Sequence, residues 1–331
     1  MAIMITGGAG YIGSHTNKLL ASNGVDTLVY DNLSTGHAEC ARWGKFVKGD
    51  ILDFDTLCSA MSGQEVSCVM HFAAFIEVGE SMREPEKYYR NNVMGALNVL
   101  AAMRKTGVRN FVFSSTCATY GIPRHMPLTE NHVQEPINVY GRTKLMVEQI
   151  IKDFTAAYGM KYAILRYFNA SGADPELETG EWHTPESHLI PNVLSAAAAG
   201  TPVGVFGGNY PTPDGTCVRD YIHVNDLAGA HRLAANYLAV GGESDCFNLG
   251  NGQGFSVREV ISAAEKVTAS KIAVNIAPPR PGDPPVLVGD ASKAGRILGW
   301  RPAITGIESI VSTAWNWHRK LHSIPSPTRT T

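Results

Sequence analysis

Apolar and polar positions follow two alternating patterns through the first half of the chain. Residues 2–6 form an apolar run that predicts a buried strand, and helical spacing then predicts a helix through about residue 24. Longer helices are predicted over residues 86–105 and 140–158. The other predicted strands cover residues 27–30, 46–47, 67–70, 110–115 and 161–165. Because strands that alternate with helices indicate a parallel sheet with right-handed crossovers, we predict an α/β fold built on a doubly wound, parallel-sheet Rossmann domain.

After about residue 170 the alternation weakens, and glycine and proline become more frequent. The loop-rich segments and shorter predicted helices of this part cover residues 207–215, 278–285, 186–199 and 224–239. We therefore predict two domains. Residues 1–170 form the Rossmann domain, and residues 171–331 form a smaller, mixed α/β lobe that binds the substrate, with segments that cross back to the first domain.

Composition and charge exclude several classes of partner. Of 331 residues, 44% are hydrophobic and 18% are charged, and the formal net charge is −2, without the basic footprint typical of nucleic-acid binding. No apolar run is long enough to span a bilayer, and no signal-like segment precedes the first predicted strand. The six cysteines have no paired spacing, which indicates free thiols. We predict a cytoplasmic protein with no nucleic-acid or membrane partner.

The histidines give no metal-binding motif. None of the eleven belongs to an H-E-x-x-H sequence, and one pair, His318 and His322, has the spacing of a single helical turn. Arg319 and Lys320 lie between these two, which indicates a solvated helix face rather than a metal site. We predict that the protein binds no metal.

A glycine-rich turn follows the first predicted strand. Gly7, Gly10 and Gly13 lie three residues apart and lead into the first predicted helix. Gly7 permits a tight turn, Gly10 lets the backbone approach a pyrophosphate, and Gly13 lets helix and strand pack closely. Asp31 ends the second predicted strand 18 residues after Gly13, near the spacing expected for an acid that binds the adenosine ribose. The pattern predicts a dinucleotide site, and Asp31 favours NAD over NADP because its carboxylate would repel a 2′-phosphate.

Two further strand ends are candidates for the same site. Asp50 ends the third predicted strand, where its carboxylate either meets the adenine edge or caps the helix that follows. Phe72 and Ala73 follow the fourth predicted strand, where small and apolar residues can line the nicotinamide ribose. The sequence leaves the two alternatives for Asp50 open.

Tyr140 and Lys144 are the candidate proton-transfer pair. They lie at positions i and i+4 of a predicted helix and therefore share one face. Free tyrosine has a pKa of about 10, and we predict that Lys144 and the positive nicotinamide ring both lower it. Thr116, or its neighbour Ser115, follows the fifth predicted strand and supplies a hydroxyl that shares the proton with the substrate oxygen. The alternative is a surface pair that only stabilises the helix.

This ordered set resembles the extended short-chain dehydrogenase/reductase superfamily and, within it, the UDP-glucose 4-epimerase family, over nearly the whole chain. The matching segments are residues 7–15, 31–34, 49–51, 71–74, 78–81, 88–93, 140–148 and 165–169, and most specifically 214–223 and 280–283. The resemblance implies a cycle that converts UDP-glucose and UDP-galactose into each other through a 4-keto sugar. In that cycle Tyr140 takes the proton of the sugar 4-hydroxyl while hydride passes from C4 to NAD, and the hydride returns to the opposite face of the sugar.

The resemblance also implies which residues contact each ligand. The implied cofactor contacts are Gly7, Gly10, Tyr11, Ile12, Gly13, Asp31, Asn32, Leu33, Ser34, Asp50, Ile51, Phe72, Ala73, Asn91, Tyr140, Lys144 and Phe168. The implied UDP-sugar contacts are Thr116, Tyr140, Asn169, Leu189, Phe206, Arg219, Tyr221, Arg280 and Asp283. Within this set Leu189 and Phe206 border the uracil, and the two arginines are suited to bidentate bonds with phosphate. The family's homodimer implies a helix bundle, for which the helices over 86–105 and 140–158 are candidates.

Two positions and one segment depart from the family pattern, and the segment is the one around His188, which differs from some relatives. Ile76 stands where many relatives have a lysine that contacts the cofactor. Leu287 stands at the position of the sugar-pocket gate, which is often tyrosine or cysteine. Since leucine is smaller than tyrosine, we predict that an acetamido group at C2 fits, so that UDP-GlcNAc and UDP-GalNAc are also substrates.

Three other functions are alternatives. A UDP-xylose/UDP-arabinose 4-epimerase shares nearly every motif. A sugar-nucleotide dehydratase needs an acid–base pair where this chain has Cys117 and Ala118, so dehydration is disfavoured. A non-enzymatic NAD-binding protein is disfavoured by the presence of both Tyr140 and Lys144.

Overall fold

The strands predicted in the first half of the chain form one sheet in the computed structural model, which describes residues 1–280 and 282–324. In chain order, the strands are β1 (Ala2–Thr6), β2 (Thr27–Asp31), β3 (Lys45–Lys48), β4 (Val66–His71), β5 (Asn110–Thr116), β6 (Lys161–Tyr167), β7 (Asn169–Ser171), β8 (Val203–Phe206), β9 (Val218–His223), β10 (Asp245–Leu249), β11 (Gly254–Ser256), β12 (Val274–Ala277) and β13 (Val286–Leu287).

The helices connect these strands. In chain order, they are α1 (Tyr11–Ser22), α2 (Phe54–Ser62), α3 (Val78–Arg83), α4 (Pro85–Tyr88), α5 (Gly95–Thr106), α6 (Val139–Tyr158), α7 (Leu189–Ala199), α8 (Val224–Ala239), α9 (Val257–Thr268), α10 (Ser292–Ile297) and α11 (Ile307–Leu321). None of the helices in the described part of the chain combines the length and apolarity that crossing a membrane requires.

The main sheet has seven parallel strands in the order β10-β6-β5-β4-β1-β2-β3. The chain extends from β1 to β2 and β3 on one side and continues with β4, β5 and β6 on the other side. The strand order therefore reverses beside β1, and ligands bind at such a switch point in open parallel sheets. This topology confirms the predicted doubly wound Rossmann fold.

The two faces of the sheet explain why its strands are apolar throughout. All five residues of β1 are buried. Ile3 and Ile5 belong to the first core cluster, on the face covered by α8, whereas Met4 belongs to the second cluster, on the opposite face with α2 and α5. Because side chains alternate along a strand, a strand with helices on both faces reads as a continuous hydrophobic run. Burying each such side chain contributes about 1.5–3 kcal/mol.

The remaining strands form two smaller sheets. In the first, β9 pairs with β7, β11 and β13, and in the second, β8 pairs in parallel with β12. Helices α7, α9 and α11 pack on one another around the third core cluster, which contains Val193, Val260 and Val311.

The chain returns to the first domain after residue 170, as the sequence analysis allows. Strand β10 pairs with β6 and completes the main sheet, and α8 packs against α1. Two helix predictions need adjustment. The predicted helix over 86–105 is divided, because a π-helical segment, Tyr89–Met94, separates α4 from α5. The helix predicted over 186–199 begins at Leu189.

Candidate active site

The glycine turn forms a cradle between β1 and α1. Gly7 has a φ of +73°, and a Cβ added there would lie 2.5 Å from the backbone nitrogen of Ala73. A Cβ at Gly13 would lie 2.3 Å from the carbonyl oxygen of Gly7. The N-terminus of α1 has no side-chain cap at Gly10 and no acidic residue in its first turn. Its free N–H groups and positive dipole end therefore fit an anionic pyrophosphate.

Asp31 ties this cradle to the end of β2. Its carboxylate accepts hydrogen bonds from the backbone nitrogens of Ala9 at 3.0 Å and Leu33 at 2.8 Å. Burial raises the pKa of Asp31 above its usual value, although both hydrogen bonds act in the opposite direction. The predicted ribose-binding acid thus lies beside the pyrophosphate cradle, as a dinucleotide site requires.

The structure tests one of the two alternatives for Asp50, the helix cap. The N-cap of α2 is Asp53, whose carboxylate accepts from the Thr56 nitrogen at 3.1 Å. Asp50 instead accepts from the side-chain nitrogen of Asn32 at 3.0 Å and from the backbone of Leu52 at 2.8 Å. The capping alternative for Asp50 is therefore wrong, and the carboxylate stands beside the loop that follows β2.

Several implied cofactor contacts lie around the cradle, but not all can act through their side chains. Ala73 and Phe72 donate backbone hydrogen bonds to the Thr6 carbonyl at the end of β1, at 3.0 and 2.9 Å. Ile51 is buried in the second core cluster, where a Cβ at Gly95 would meet its side chain. Any contact of Ile51 with a cofactor is therefore through its backbone. Of the remaining predicted contacts, Phe168 packs in the first core cluster and Ser34 is exposed. The others are partly buried, and they are Tyr11, Ile12 and Asn91.

Tyr140 and Lys144 lie on the first two turns of α6. Asn138 caps this helix by accepting a hydrogen bond from the Gly141 nitrogen at 2.7 Å. The Lys144 ammonium group donates to the carbonyl of Ser114 on β5 at 2.9 Å, and its nitrogen lies 6.0 Å from the centroid of the Tyr140 ring. The helix pair is thus held against the carboxyl end of β5 and is not a surface pair, since Lys144 is buried.

The electrostatics of this pair differ from the sequence prediction. Burial raises the pKa of Tyr140 well above 10, while a hydrogen bond with Thr116 acts in the opposite direction. Burial also lowers the pKa of Lys144 to about 7, although the nearby charge of Glu148 raises it. Lys144 therefore does not lower the pKa of Tyr140 in the way that the sequence predicted. Burial takes both side chains out of water, which disfavours the charged form of each.

Thr116, and not Ser115, faces Tyr140. Side chains alternate along β5, so the hydroxyl of Ser115 points the other way and donates to Glu148 at 2.6 Å. Glu148 is fully buried and also accepts from the Arg166 guanidinium at 2.6 and 3.0 Å. Ser115 is therefore corrected from a candidate catalytic residue to a partner of this buried ion pair.

Sequence reasoning missed two supporting groups. Glu148 lies one turn beyond Lys144, so the series of Tyr140, Lys144 and Glu148 at four-residue intervals is a signal that the sequence contained. Asn92, in the π-helical segment, bonds both backbone groups of Phe75 and also donates to Thr143 on α6 at 3.2 Å. A buried amide of this kind links the segment after β4 to the helix that carries the tyrosine.

On the other side of the site, β9 carries the predicted phosphate ligand Arg219. Its guanidinium forms an ion pair with Asp283 and donates to the Val218 carbonyl at 2.8 Å. Leu287 on β13 pairs in register with Arg219. The exposed Arg280 guanidinium lies 4.1 Å from the centroid of the Phe206 ring. The backbone nitrogen of Asp283 donates to the Arg280 carbonyl at 3.2 Å, so pairwise contacts connect Arg219, Asp283, Arg280 and Phe206 in series.

The other three predicted substrate contacts occupy different settings. Asn169, the first residue of β7, donates from its side chain to the Asp220 carbonyl at 2.9 Å. Leu189 is the first residue of α7 and is partly buried. Tyr221 is 5% exposed and packs in the third core cluster, so its ring supports β9 from within the lobe.

Comparison with known proteins agrees with this geometry. Residues 3–250 match the NAD dependent epimerase/dehydratase family. The UDP-glucose 4-epimerase of Rhizobium meliloti (strain 1021) is 50% identical over 320 residues, which are 96% of this chain and 97% of the relative.

Two solved structures are also similar. The UDP-glucose 4-epimerase of Brucella ovis in complex with NAD has a TM-score of 0.94 at 48% identity, with 96% of this chain and 98% of that chain covered. The UDP-Glc/GlcNAc 4-epimerase of Campylobacter jejuni has a TM-score of 0.84 at 42% identity, with 96% and 99% covered. This chain therefore belongs to the NAD dependent epimerase/dehydratase family, among its UDP-glucose 4-epimerases.

Proposed function

We propose that the protein is an NAD-dependent isomerase that interconverts UDP-glucose and UDP-galactose through a 4-keto sugar. The observation that carries the proposal is the meeting of Tyr140, Lys144 and Thr116 at the carboxyl end of β5, in the same parallel sheet whose β1 ends in the glycine cradle. A dehydratase would need an acid–base pair beside Thr116, where this chain has Cys117 and Ala118. The relatives support UDP-glucose over the UDP-xylose/UDP-arabinose alternative.

The cradle holds the cofactor and selects NAD. The N-terminus of α1 takes the pyrophosphate, and the Asp31 carboxylate accepts hydrogen bonds from the adenosine ribose and disfavours a 2′-phosphate. The chemistry that NAD would supply when bound is to take up a hydride from sugar C4 and to give the same hydride back. The buried Lys144 stays on the Ser114 carbonyl and orients α6 toward this site.

Tyr140 carries the proton. As the phenolate, its oxygen accepts the proton of the sugar 4-hydroxyl beside the Thr116 hydroxyl, and it returns the proton when the sugar is reduced again. Because burial raises the pKa of Tyr140, positive charge must lie near it during turnover. Lys144, with its pKa near 7, can supply that charge or a second proton position at neutral pH.

The lobe anchors the nucleotide while the sugar turns. Arg219 and Arg280 are the groups suited to bidentate bonds with the diphosphate, and phosphate oxygens would take the place of Asp283 as the partner of Arg219. A firmly held diphosphate lets the 4-keto sugar turn so that the other face of C4 receives the returning hydride, while the C4 oxygen stays within reach of the same Tyr140. This is how one proton carrier and one cofactor can invert a single carbon without net oxidation.

The direct test is an assay of epimerisation. Purified protein is incubated with UDP-galactose, with and without added NAD, and UDP-glucose is measured by chromatography. We expect UDP-glucose to form, and we expect Tyr140→Phe to lower kcat by about 100-fold or more because it lacks the proton-carrying oxygen. Calorimetric titration with UDP checks that the variant still binds nucleotide. An undiminished rate in Tyr140→Phe would refute the mechanism.

Leu287 supports a wider choice of sugar. Its partly buried side chain packs against the first core cluster beside Arg219. We expect the protein to interconvert UDP-GlcNAc and UDP-GalNAc, and we expect Leu287→Tyr to lose this activity while it keeps UDP-glucose epimerisation. The two rates are compared by chromatography for each variant. A wild-type protein inactive on UDP-GlcNAc would contradict the wider pocket.

Association and location are also part of the proposal. Exposed apolar side chains along the predicted helix-bundle face, namely Met94, Leu97 and Met146, support a homodimer, which light scattering on the purified protein tests. The six free cysteines support a reducing, cytoplasmic location. Residues 1–170 and 171–331 remain the proposed cofactor and substrate domains, with β10 and α8 returning to the first.

A further inference from the structure

Two histidines and two glutamates converge in the loop between β7 and α7, next to the predicted ligand contacts Tyr11 and Leu189. They are Glu181, His183, Glu186 and His188, and the ligand-type atoms of all four lie within 4.8 Å of one another. The sequence search missed them because their spacing matches no common metal motif.

The separations within this cluster are close to those of ligands around one small cation. The Nδ1 atom of His183 lies 3.4 Å from Oε1 of Glu181 and 3.8 Å from Oε2 of Glu186, and the Nδ1 atom of His188 lies 3.7 Å from the other Glu186 oxygen, Oε1. Metal–ligand bonds of about 2.0–2.1 Å in a tetrahedron place neighbouring ligands roughly 3.3 Å apart. The fourth separation is shorter, since His188 hydrogen-bonds Glu181 directly.

His183 has an unused ligand atom. Its Nδ1 is buried and makes no hydrogen bond within the described residues, although two carboxylates stand nearby. Glu181 and Glu186 are its ion-pair partners, at distances longer than a close hydrogen bond. A cation between the four side chains would take the lone pair of this nitrogen.

Neighbouring groups hold the ligands in place and leave a path for entry. Glu186 accepts hydrogen bonds from the backbone nitrogens of Ser187 and His188, each at 2.8 Å, through one carboxylate oxygen. The Trp317 indole donates to the Glu181 carbonyl at 2.9 Å, which anchors the loop to α11. Side-chain exposure rises from 7% at Glu181 to 44% at His188, so the cluster opens to solvent at one end.

We propose that Glu181, His183, Glu186 and His188 form a binding site for one Zn²⁺ ion. Two imidazoles, which release their protons to solvent when the ion binds, and two carboxylates balance the charge of the ion, and four nitrogen and oxygen ligands match its tetrahedral preference. The ion holds this loop in place between α1 and the start of α7. On the α1 side, the Tyr11 ring lies 6.3 Å from that of His183. Its role is structural.

The test measures Zn²⁺ itself. Chelator-treated protein is titrated with ZnCl₂ by calorimetry, and the ligand variant His183→Ala/His188→Ala is compared with a matched control, His318→Ala/His322→Ala, which removes the one other close histidine pair discussed above. We expect one site per chain, a loss of affinity of at least roughly 10-fold in the ligand variant, and no change in the control. Zinc binding should also raise the unfolding temperature of the wild-type protein.

A second measurement keeps the proposal testable if the ligand variant does not fold. Wild-type protein is loaded with Co²⁺, whose visible spectrum distinguishes tetrahedral nitrogen and oxygen coordination from free, octahedral cobalt. A tetrahedral spectrum that Zn²⁺ displaces supports the site. Wild-type protein that binds no zinc, or a loss of binding that follows His318 and His322 instead, would show that the cluster is an ion-pair network only.

Discussion

Ser115 and Thr116 are adjacent hydroxyl residues with opposite surroundings. Thr116 shares a hydrogen bond with Tyr140, whereas Ser115 donates to the Glu148 carboxylate behind β5. The direction of each side chain follows from strand alternation, so a shift of one residue exchanges the catalytic hydroxyl for a structural one.

We expect Thr116→Val and Ser115→Ala to affect different properties. Thr116→Val keeps the side-chain shape but removes the hydroxyl from the proton path, so kcat should fall roughly 10- to 100-fold, and losing the hydrogen bond from the Ala118 nitrogen should cost about 1 kcal/mol of stability. Ser115→Ala leaves Glu148 paired with Arg166, so kcat should hold while unfolding costs about 1 kcal/mol less. Urea denaturation and steady-state assays of both variants check this. Equal losses of kcat would contradict the assignment.

The sequence predicted the candidate proton-transfer pair that the structure brings against β5, but not the electrostatic state of the pair. Tyr140 and Lys144 follow from a four-residue spacing on one helix. Their pKa values depend on how much water each side chain loses, and that is decided by packing against β5 and the π-helical segment. For the same reason the buried pair of Glu148 and Arg166, which joins α6 to β6, could not be recognised from spacing alone.

At the scale of elements, the turn between β1 and α1 combines two constraints in Gly7. Its φ of +73° disfavours a side chain, and its Cα approaches the backbone after β4. Gly24 also has a φ of +73°, but a Cβ there would have no atom within 4 Å. A comparison of the two glycines therefore distinguishes the cost of backbone strain from the cost of a close contact.

We expect Gly24→Ala to cost about 1 kcal/mol and Gly7→Ala to cost clearly more, because only the second adds a collision with the Ala73 backbone to the strain. The free energy of unfolding in urea measures both. Gly7→Ala should also weaken NAD binding, since moving the turn displaces the N-terminus of α1. Equal costs for the two substitutions would mean that the close approach has no energetic weight.

Elements with a strong, uninterrupted pattern were predicted well. Six of the main-sheet strands and the helix over 224–239 agree with the structure. The helix predicted over 86–105 failed as a single element because its interruption is not a local preference. Asn92 bonds the backbone of Phe75, a residue distant in sequence, and the chain is π-helical around it.

For the whole molecule, buried histidines that stay neutral make stability depend on pH. Burial lowers the pKa of five histidines to about 3 or 4, so they are neutral in the folded protein near neutral pH; they are His15, His71, His223, His231 and His318. The unfolded chain binds these protons at a pKa of about 6.5. Between about pH 6.5 and 4 the unfolded state therefore holds more protons, and stability falls as the pH falls. Asp220, with its pKa raised to about 6, opposes this trend.

We expect the urea concentration at the unfolding midpoint to be lower at pH 5 than at pH 7.5, and we expect this decrease to be smaller in the His231→Gln variant. A single buried histidine contributes about 1–2 kcal/mol to that difference. His125→Gln, at an exposed position, is the control and should keep the wild-type difference. Because each variant is compared with itself at two pH values, any constant cost of the substitution cancels. A pH dependence equal in all three proteins would contradict the argument.

The chain crosses between the main sheet and the smaller sheets after β6, after β9 and after β10. Each crossing is a covalent connection between the two parts of the protein. A lobe that is connected at several separated points has little freedom to move as a hinged lid. The frame around the nucleotide is therefore close to rigid. The motion that inversion requires is thus left to the sugar itself, which turns about its diphosphate link inside a stationary enclosure.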